Sequence, residues 1–112
     1  MIDNPKQVAD LLARLEAALP LPAIVTPRLA AVLRQQSPGD SIQQRCEMTW
    51  VSNAGDEGGI VCKLSIEGEP GGKRLQFFTS ITHLDFDRRM PLAHDIVAYQ
   101  KRRIKQLRRQ AG

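Results

Sequence analysis

Apolar residues in the first part of the chain recur at a helical interval: Val8, Leu11, Leu12, Leu15 and Leu19. Asn4 directly before Pro5 supplies a cap followed by a residue suited to the first helical position. The pattern predicts a first helix of about 15 residues ending near Pro20. Leu-Pro-Leu-Pro at 19–22 then reads as a stiff connector, because each proline fixes its own φ and restricts the residue before it. Thr26-Pro27 repeats the cap-then-proline signal, and Leu29, Val32 and Leu33 give one apolar face to a shorter helix reaching about Gln36. Ser37-Pro38-Gly39-Asp40 reads as a turn.

From Arg45 the period falls to two. Cys46, Met48 and Trp50 point one way, and Arg45, Glu47 and Thr49 the other, as in a half-buried strand. After the glycine-rich turn at Asn53–Gly59, Ile60, Cys62, Leu64 and Ile66 alternate with Val61, Lys63, Ser65 and Glu67. Glu69-Pro70-Gly71-Gly72 makes a second turn, and Leu75, Phe77, Thr79 and Ile81 alternate along a third strand. Pairing Ile66 with Leu75 also sets Leu64 beside Phe77 and Ile60 beside Ile81, which keeps the apolar positions on one face. Trp50 and Phe77 are expected inside, and Phe78, Phe86 and Tyr99 are the candidate exposed rings.

Pro91 reads as the first residue of a final helix, with Leu92, Ala93, Ile96, Val97, Ile104 and Leu107 along one side. The expected fold is α+β, a three-stranded antiparallel β-meander packed against helices in the order α-α-β-β-β-α. At 112 residues the chain is expected to form a single domain over 1–112. Residues 1–22 form its N-terminal helix and Pro-rich linker, and 23–112 its helix, meander and basic C-terminal helix. The first helix either completes the core or docks on a second copy of the chain, which makes a homodimer an expectation to test.

Charge changes this picture more than composition does. A formal net charge of +4 divides unevenly: residues 1–72 hold six Lys/Arg against nine Asp/Glu, a balance of −3, whereas 73–112 hold ten against three, a balance of +7. A basic end on a mildly acidic body attracts phosphate, an anionic membrane surface or an acidic protein. The N-terminus lacks a basic start followed by an apolar core, and the longest apolar stretch, 17–25, is broken by two prolines, so neither a secretory signal nor a transmembrane segment is expected. A cytoplasmic location follows as the expectation, with both cysteines kept as thiols.

The final helix concentrates the charge. At about 100° per residue with Lys101 at zero, Lys105 falls at about 40°, Arg108 at about 340°, Arg109 at about 80° and Arg102 at about 100°. These five cations share an arc of roughly 120°, with His94 inside it, opposite Ile96, Ile104 and Leu107. Arg103, at about 200°, is the exception, expected to run its stem along the core edge with its guanidinium in water. Lys73, Arg74, Arg88 and Arg89 add charge elsewhere. A stripe of this kind follows a nucleic-acid backbone by neutralising phosphates. Cations near a helix C-terminus also complement its dipole and keep a surface helix solvated.

From Thr26 onward, the order helix, three strands, helix is similar to that of double-stranded-RNA-binding domains. Those domains place a lysine cluster at the start of their last helix. Here Pro91-Leu92-Ala93-His94-Asp95 stands there and the cations come a turn or more later, so their mode of groove contact does not transfer to these residues.

No catalytic signature is complete. Cys46 and Cys62 lie on one inward face without Cys-x-x-Cys spacing and read as inert buried thiols. His83 and His94 sit on separate elements, and no metal or cofactor is expected. His83, Asp85 and Asp87 form the best fallback site for a small enzyme, although Asp87 beside two arginines reads more simply as a turn residue. Gly68–Lys73 lacks the spacing, the magnesium-binding hydroxyl and the strand-to-helix context of a phosphate loop. The expected function is a non-enzymatic binding module in which Lys101, Arg102, Lys105, Arg108 and Arg109 meet an anionic partner, RNA or DNA first and an acidic protein second. The alternative is a small structural or regulatory protein-interaction domain, dimeric through the first helix.

Overall fold

The computed structural model describes residues 4–36, 43–67 and 74–111, with the side chains of residues 56, 57, 110 and 111 left out. The turns expected at 37–40 and 69–72, and Lys73, lie outside the described residues. Asn4 caps α1 (Pro5–Ala18) as its sequence dictates, its Oδ1 accepting from the backbone N–H groups of Lys6 and Gln7 at 3.1 and 3.2 Å. Val8, Leu11 and Leu15 form the buried stripe. The chain continues through β1 (Leu21–Val25), α2 (Pro27–Gln36), β2 (Arg45–Asn53), the single turn α3 (Gly55–Gly58), β3 (Ile60–Glu67), β4 (Arg74–Ser80), a 3-10 turn (Ile81–His83), β5 (Leu84–Asp85) and α4 (Ala93–Ala111).

The α+β class is as expected, but the sheet has five antiparallel strands in the order β4-β3-β2-β1-β5, not a three-stranded meander. The connector expected at 19–22 runs directly into β1. Pro22 fits there because β5 pairs only with Ile24 and Val25, which leaves β1 an edge at the proline. The additional strands also remove the likeness in element order to double-stranded-RNA-binding domains. The hairpin register matches expectation: Ile66 faces Leu75 and Leu64 faces Phe77. The third strand stops at Ser80, and Ile81, fully buried, belongs to the 3-10 turn.

That short turn dictates the shape of the sheet. Ser80 and Leu84 are four residues apart, a reach of at most about 14 Å, whereas β4 and β5 would stand about 19 Å apart across four spacings of a flat sheet. The sheet must therefore curl, and it curls toward the helices, because the Gln100 side chain of α4 donates to the carbonyls of both Ile81 and Leu84 at 2.8 Å. Its helix-facing side carries Leu21, Ala23, Val25, Cys46, Met48, Val51, Ile60, Cys62, Leu64 and Ile66, which join Leu15, Leu29, Leu33, Ile96 and Tyr99 in one core. The opposite side of the strands is exposed or half-buried throughout the described residues.

Of the two roles open to α1, the structure shows the first: its apolar stripe completes the core of its own chain, and Arg14 pairs with Asp95 of α4 at 2.7 Å. Trp50 reverses its expected direction. A bulge between Met48 and Trp50 inserts an extra residue, so Trp50 turns outward (44% exposed) and Val51 takes the inward place (4%). Phe86 and Tyr99, expected as candidate exposed rings, are buried.

Candidate functional site

Helix α4 begins two residues later than its proline suggested. Pro91 and Leu92 belong to a turn in which Asp87 Oδ1 accepts from the Arg89 backbone N–H and the Ala93 N–H donates to the Met90 carbonyl. Asp95 in the first turn and Arg108 and Arg109 in the last suit the helix dipole. The buried side is Ala93, Ile96, Tyr99 and Arg103. Tyr99 reaches across to β3, its hydroxyl accepting from the Ile60 N–H at 3.0 Å.

Arg103 differs from expectation. Its side chain is 2% exposed and lies against Gly59, where the missing Cβ makes room: a carbon there would sit 2.5 Å from Arg103 Nε and 2.6 Å from Tyr99 Oη. The apolar side is shorter than the sequence suggested, since Ile104 and Leu107 are exposed and Arg103 is the last buried residue of the helix among those described. Beyond it α4 overruns the core.

The structure brings Lys101, Lys105, Arg108 and Arg109 together on one surface, whereas Arg102 lines a separate depression with Asp10, Arg14 and Asp95. Lys101, Arg102, Lys105, Arg108 and Arg109 are all exposed, and none makes an ion pair or hydrogen bond among the described residues. Lys101, Ile104, Lys105, Arg108 and Arg109 line one open depression of about 530 Å³. From Lys101 to Arg109 the strip rises about 12 Å, roughly the rise of three to four phosphates of one strand measured along the axis of duplex DNA. Its donors are ammonium groups on flexible stems and planar guanidinium forks, suited to phosphate or carboxylate oxygens.

Arg89 and Arg74 lie apart from the stripe. Arg89 is committed to Asp87, with Nη2 2.9 Å from Oδ2, and Arg74 Nε donates to Ser65 Oγ at 2.7 Å on the open face of the sheet. The Arg89 guanidinium holds the Asp87 carboxyl down at about 2, so this group stays ionised and does not serve as a general acid near neutrality. His83 Nδ1 shares a hydrogen bond with Thr79 Oγ1 at 2.9 Å.

Cys46 and Cys62 are buried free thiols that donate to the Ala23 and Thr79 carbonyls. Burial pushes them to about 11 and about 12, the reverse of a reactive thiolate. Among the described residues no cluster of three or more His, Cys, Asp or Glu side chains could hold a metal ion, and no helix is long and apolar enough to cross a membrane.

Sequence reasoning missed one surface. Trp50, Lys63 and Phe78 form a single cross-strand row on the open face of β2, β3 and β4. The Trp50 and Phe78 rings meet edge-on, centroids 5.9 Å apart at 84°, and Lys63 Nζ stands 5.7 Å from the Phe78 centroid. The Lys63–Phe78 half follows from the hairpin register alone, whereas the bulge that turns Trp50 outward leaves no mark in the alternation. Comparison of the chain with protein-family models, with curated proteins and with solved structures finds no match.

Proposed function

We propose that the protein is a non-enzymatic binding module whose α4 stripe contacts the phosphate backbone of nucleic acid without strong sequence preference. The observation that carries this reading is the set of five exposed cations on one side of a helix fastened to the sheet, none engaged by a carboxylate of the described chain. Such contacts supply affinity through counterion release and carry no base information. Fluorescence anisotropy with duplex and single-stranded RNA and DNA across a salt series tests it. With all five cations engaged, log affinity falls with log salt at a slope of about −4.5 on duplex DNA. Reversing Lys101, Lys105 and Arg108 to glutamate flattens that slope while the circular dichroism stays unchanged. Affinity indifferent to the reversal refutes the proposal.

One observation favours a second reading, a protein-interaction domain with an acidic partner. Ile104 and Leu107, each 38% exposed, adjoin the stripe and offer apolar contact that a phosphate backbone does not use. A dimer through α1 gains no support, because its apolar stripe is already buried. Binding to nucleic acid that is unaffected by Ile104→Ser and Leu107→Ser, yet abolished by charge reversal, favours the phosphate reading.

A further inference from the structure

We infer that the open face of the sheet around Trp50, Lys63 and Phe78 is a stacking platform for single-stranded nucleic acid. The inference is independent of α4, which packs on the opposite face through Ile96 and Tyr99.

Three observations carry it. First, the bulge exchanges the two candidate core residues of β2: an unbroken alternation would bury position 50 and expose position 51, but Val51 is buried and the larger Trp50 is turned out. Bulges re-aim side chains in this way beside functional surfaces. Second, Trp50 lands in register with Lys63 and Phe78, so two rings and an ammonium group converge from three adjacent strands. An edge-on pair covers at most one of its four ring faces with the other ring, Lys63 Nζ stands over one face of Phe78, and exposures of 44% and 64% leave much of the remaining ring surface in solvent. Third, the surroundings are mostly polar: Glu47, Ser52, Ser65, Gln76 and Ser80 lie in the rows on either side, with half-buried Val61 the one apolar member.

The chemistry selects the occupant. An apolar protein patch covering both rings would bury the Lys63 ammonium with the Phe78 ring beside it but no anion, which is costly. A single strand meets both demands, with a base against a ring and a phosphate oxygen on the ammonium group. A duplex does not, because its bases are already stacked on one another and their faces are closed to side chains. The contact is tolerant of sequence, since every base offers a π-face.

Trp50 is the only tryptophan of the chain, so its emission reports on this face alone. The full-length protein is titrated with the dodecamers dT12 and rU12, and with a blunt 12-base-pair DNA duplex, while emission and anisotropy are recorded. The platform predicts saturable quenching by the single strands, little by the duplex, and an affinity weakened roughly 5- to 150-fold by Phe78→Ala. Lys63→Gln reduces the salt dependence. In the charge-reversed α4 variant the quenching amplitude at saturation persists, which separates this surface from the stripe. Three results overturn the inference: anisotropy that rises without quenching, affinity unchanged by Phe78→Ala, or emission that shifts with protein concentration in the absence of oligonucleotide, which would make a second copy the occupant.

Discussion

Gly59 stands where an added side chain would meet two buried groups of α4, and replacing it tests how α4 is seated. Its backbone, at φ +64° and ψ −147°, lies in a region essentially reserved for glycine. A side chain forced there costs about 1–3 kcal/mol in strain alone. The added carbon of Gly59→Ala would also stand 2.5 Å from Arg103 Nε, 2.6 Å from Arg103 Cζ and 2.6 Å from Tyr99 Oη, with both side chains buried. Relief requires those groups to move, and moving the Tyr99 hydroxyl leaves the buried Ile60 N–H without its acceptor, a further loss of about 1–3 kcal/mol. The sum, about 2–6 kcal/mol, is a large part of the roughly 5–15 kcal/mol that holds an ordinary domain together. Gly55→Ala is the matched control. It too has positive φ, +84°, but nothing lies within 4 Å of the added carbon, so only backbone strain applies. Urea unfolding followed by circular dichroism should place Gly59→Ala below Gly55→Ala by at least about 1 kcal/mol, the smallest cost of the lost hydroxyl contact. Equal losses would show that Arg103 and Tyr99 do not press on Gly59 and that the seating of α4 is wrong.

The remaining expectations concern titration and charge. The folded-state values of the Cys46 and Cys62 thiols, about 11 and about 12, lie above the ordinary 9.0, so the stability they contribute is complete below pH 9 and declines as pH rises toward those values. Reaction with a thiol reagent at pH 8 should accordingly await unfolding, and two fast equivalents from the native protein would contradict the burial. Asp87 has the opposite sign: held at about 2 by Arg89, its contribution is present above pH 4 and fades as pH falls. A carbon-detected NMR titration should find the low midpoint in the parent and a return toward 3.8 in Arg89→Ala. Lys101→Glu converts a like-charge spacing to Lys105 into a favourable acid-before-base pair, raising stability by about 0.4–1 kcal/mol in low salt while weakening the proposed nucleic-acid contact. A destabilised variant would count against the exposed helical face.

What the sequence made legible was what is local or periodic. Asn4-Pro5 and Thr26-Pro27 announced two helix starts, and alternation along β3 and β4 set their register to the residue, because a slip by one would have moved every apolar side chain to solvent. β1 was hidden by Pro20 before it and Pro22 within it; Pro22 argues against a central strand and is tolerated because β5 is two residues long. β5 itself is too short to carry a period. Trp50 was misplaced because a bulge breaks the alternation without changing residue type. Arg103 was misplaced because its shelter is a glycine in another strand connection, a contact that no pattern within α4 encodes. The five stripe residues were legible because they needed only the regular turn of a helix.

The arrangement of those five residues bears on why they are there. Solubility alone is best served by charges of both signs at three- and four-residue spacings, since opposite pairs stabilise a helix and like pairs weaken it. Here Lys101 and Lys105, Lys105 and Arg109, Arg102 and Lys105, and Lys105 and Arg108 all stand at those spacings with the same sign. At about 0.2–0.5 kcal/mol for each pair, the stripe costs the helix about 1–2 kcal/mol in low salt. The helix dipole offsets part of this at Arg108 and Arg109, which occupy the last turn, but acts weakly on Lys101, Arg102 and Lys105, which precede it. The core does not compensate at Lys105, Arg108 and Arg109 either, because the last buried residue among those described is Arg103 and the helix runs on for two further turns. A segment that keeps mutually repelling charges on an overhanging end is stabilised when an anion joins them. Phosphate along the strip would remove the repulsion and order the helix in one step, coupling the stability of the terminal turns to the occupancy of the site.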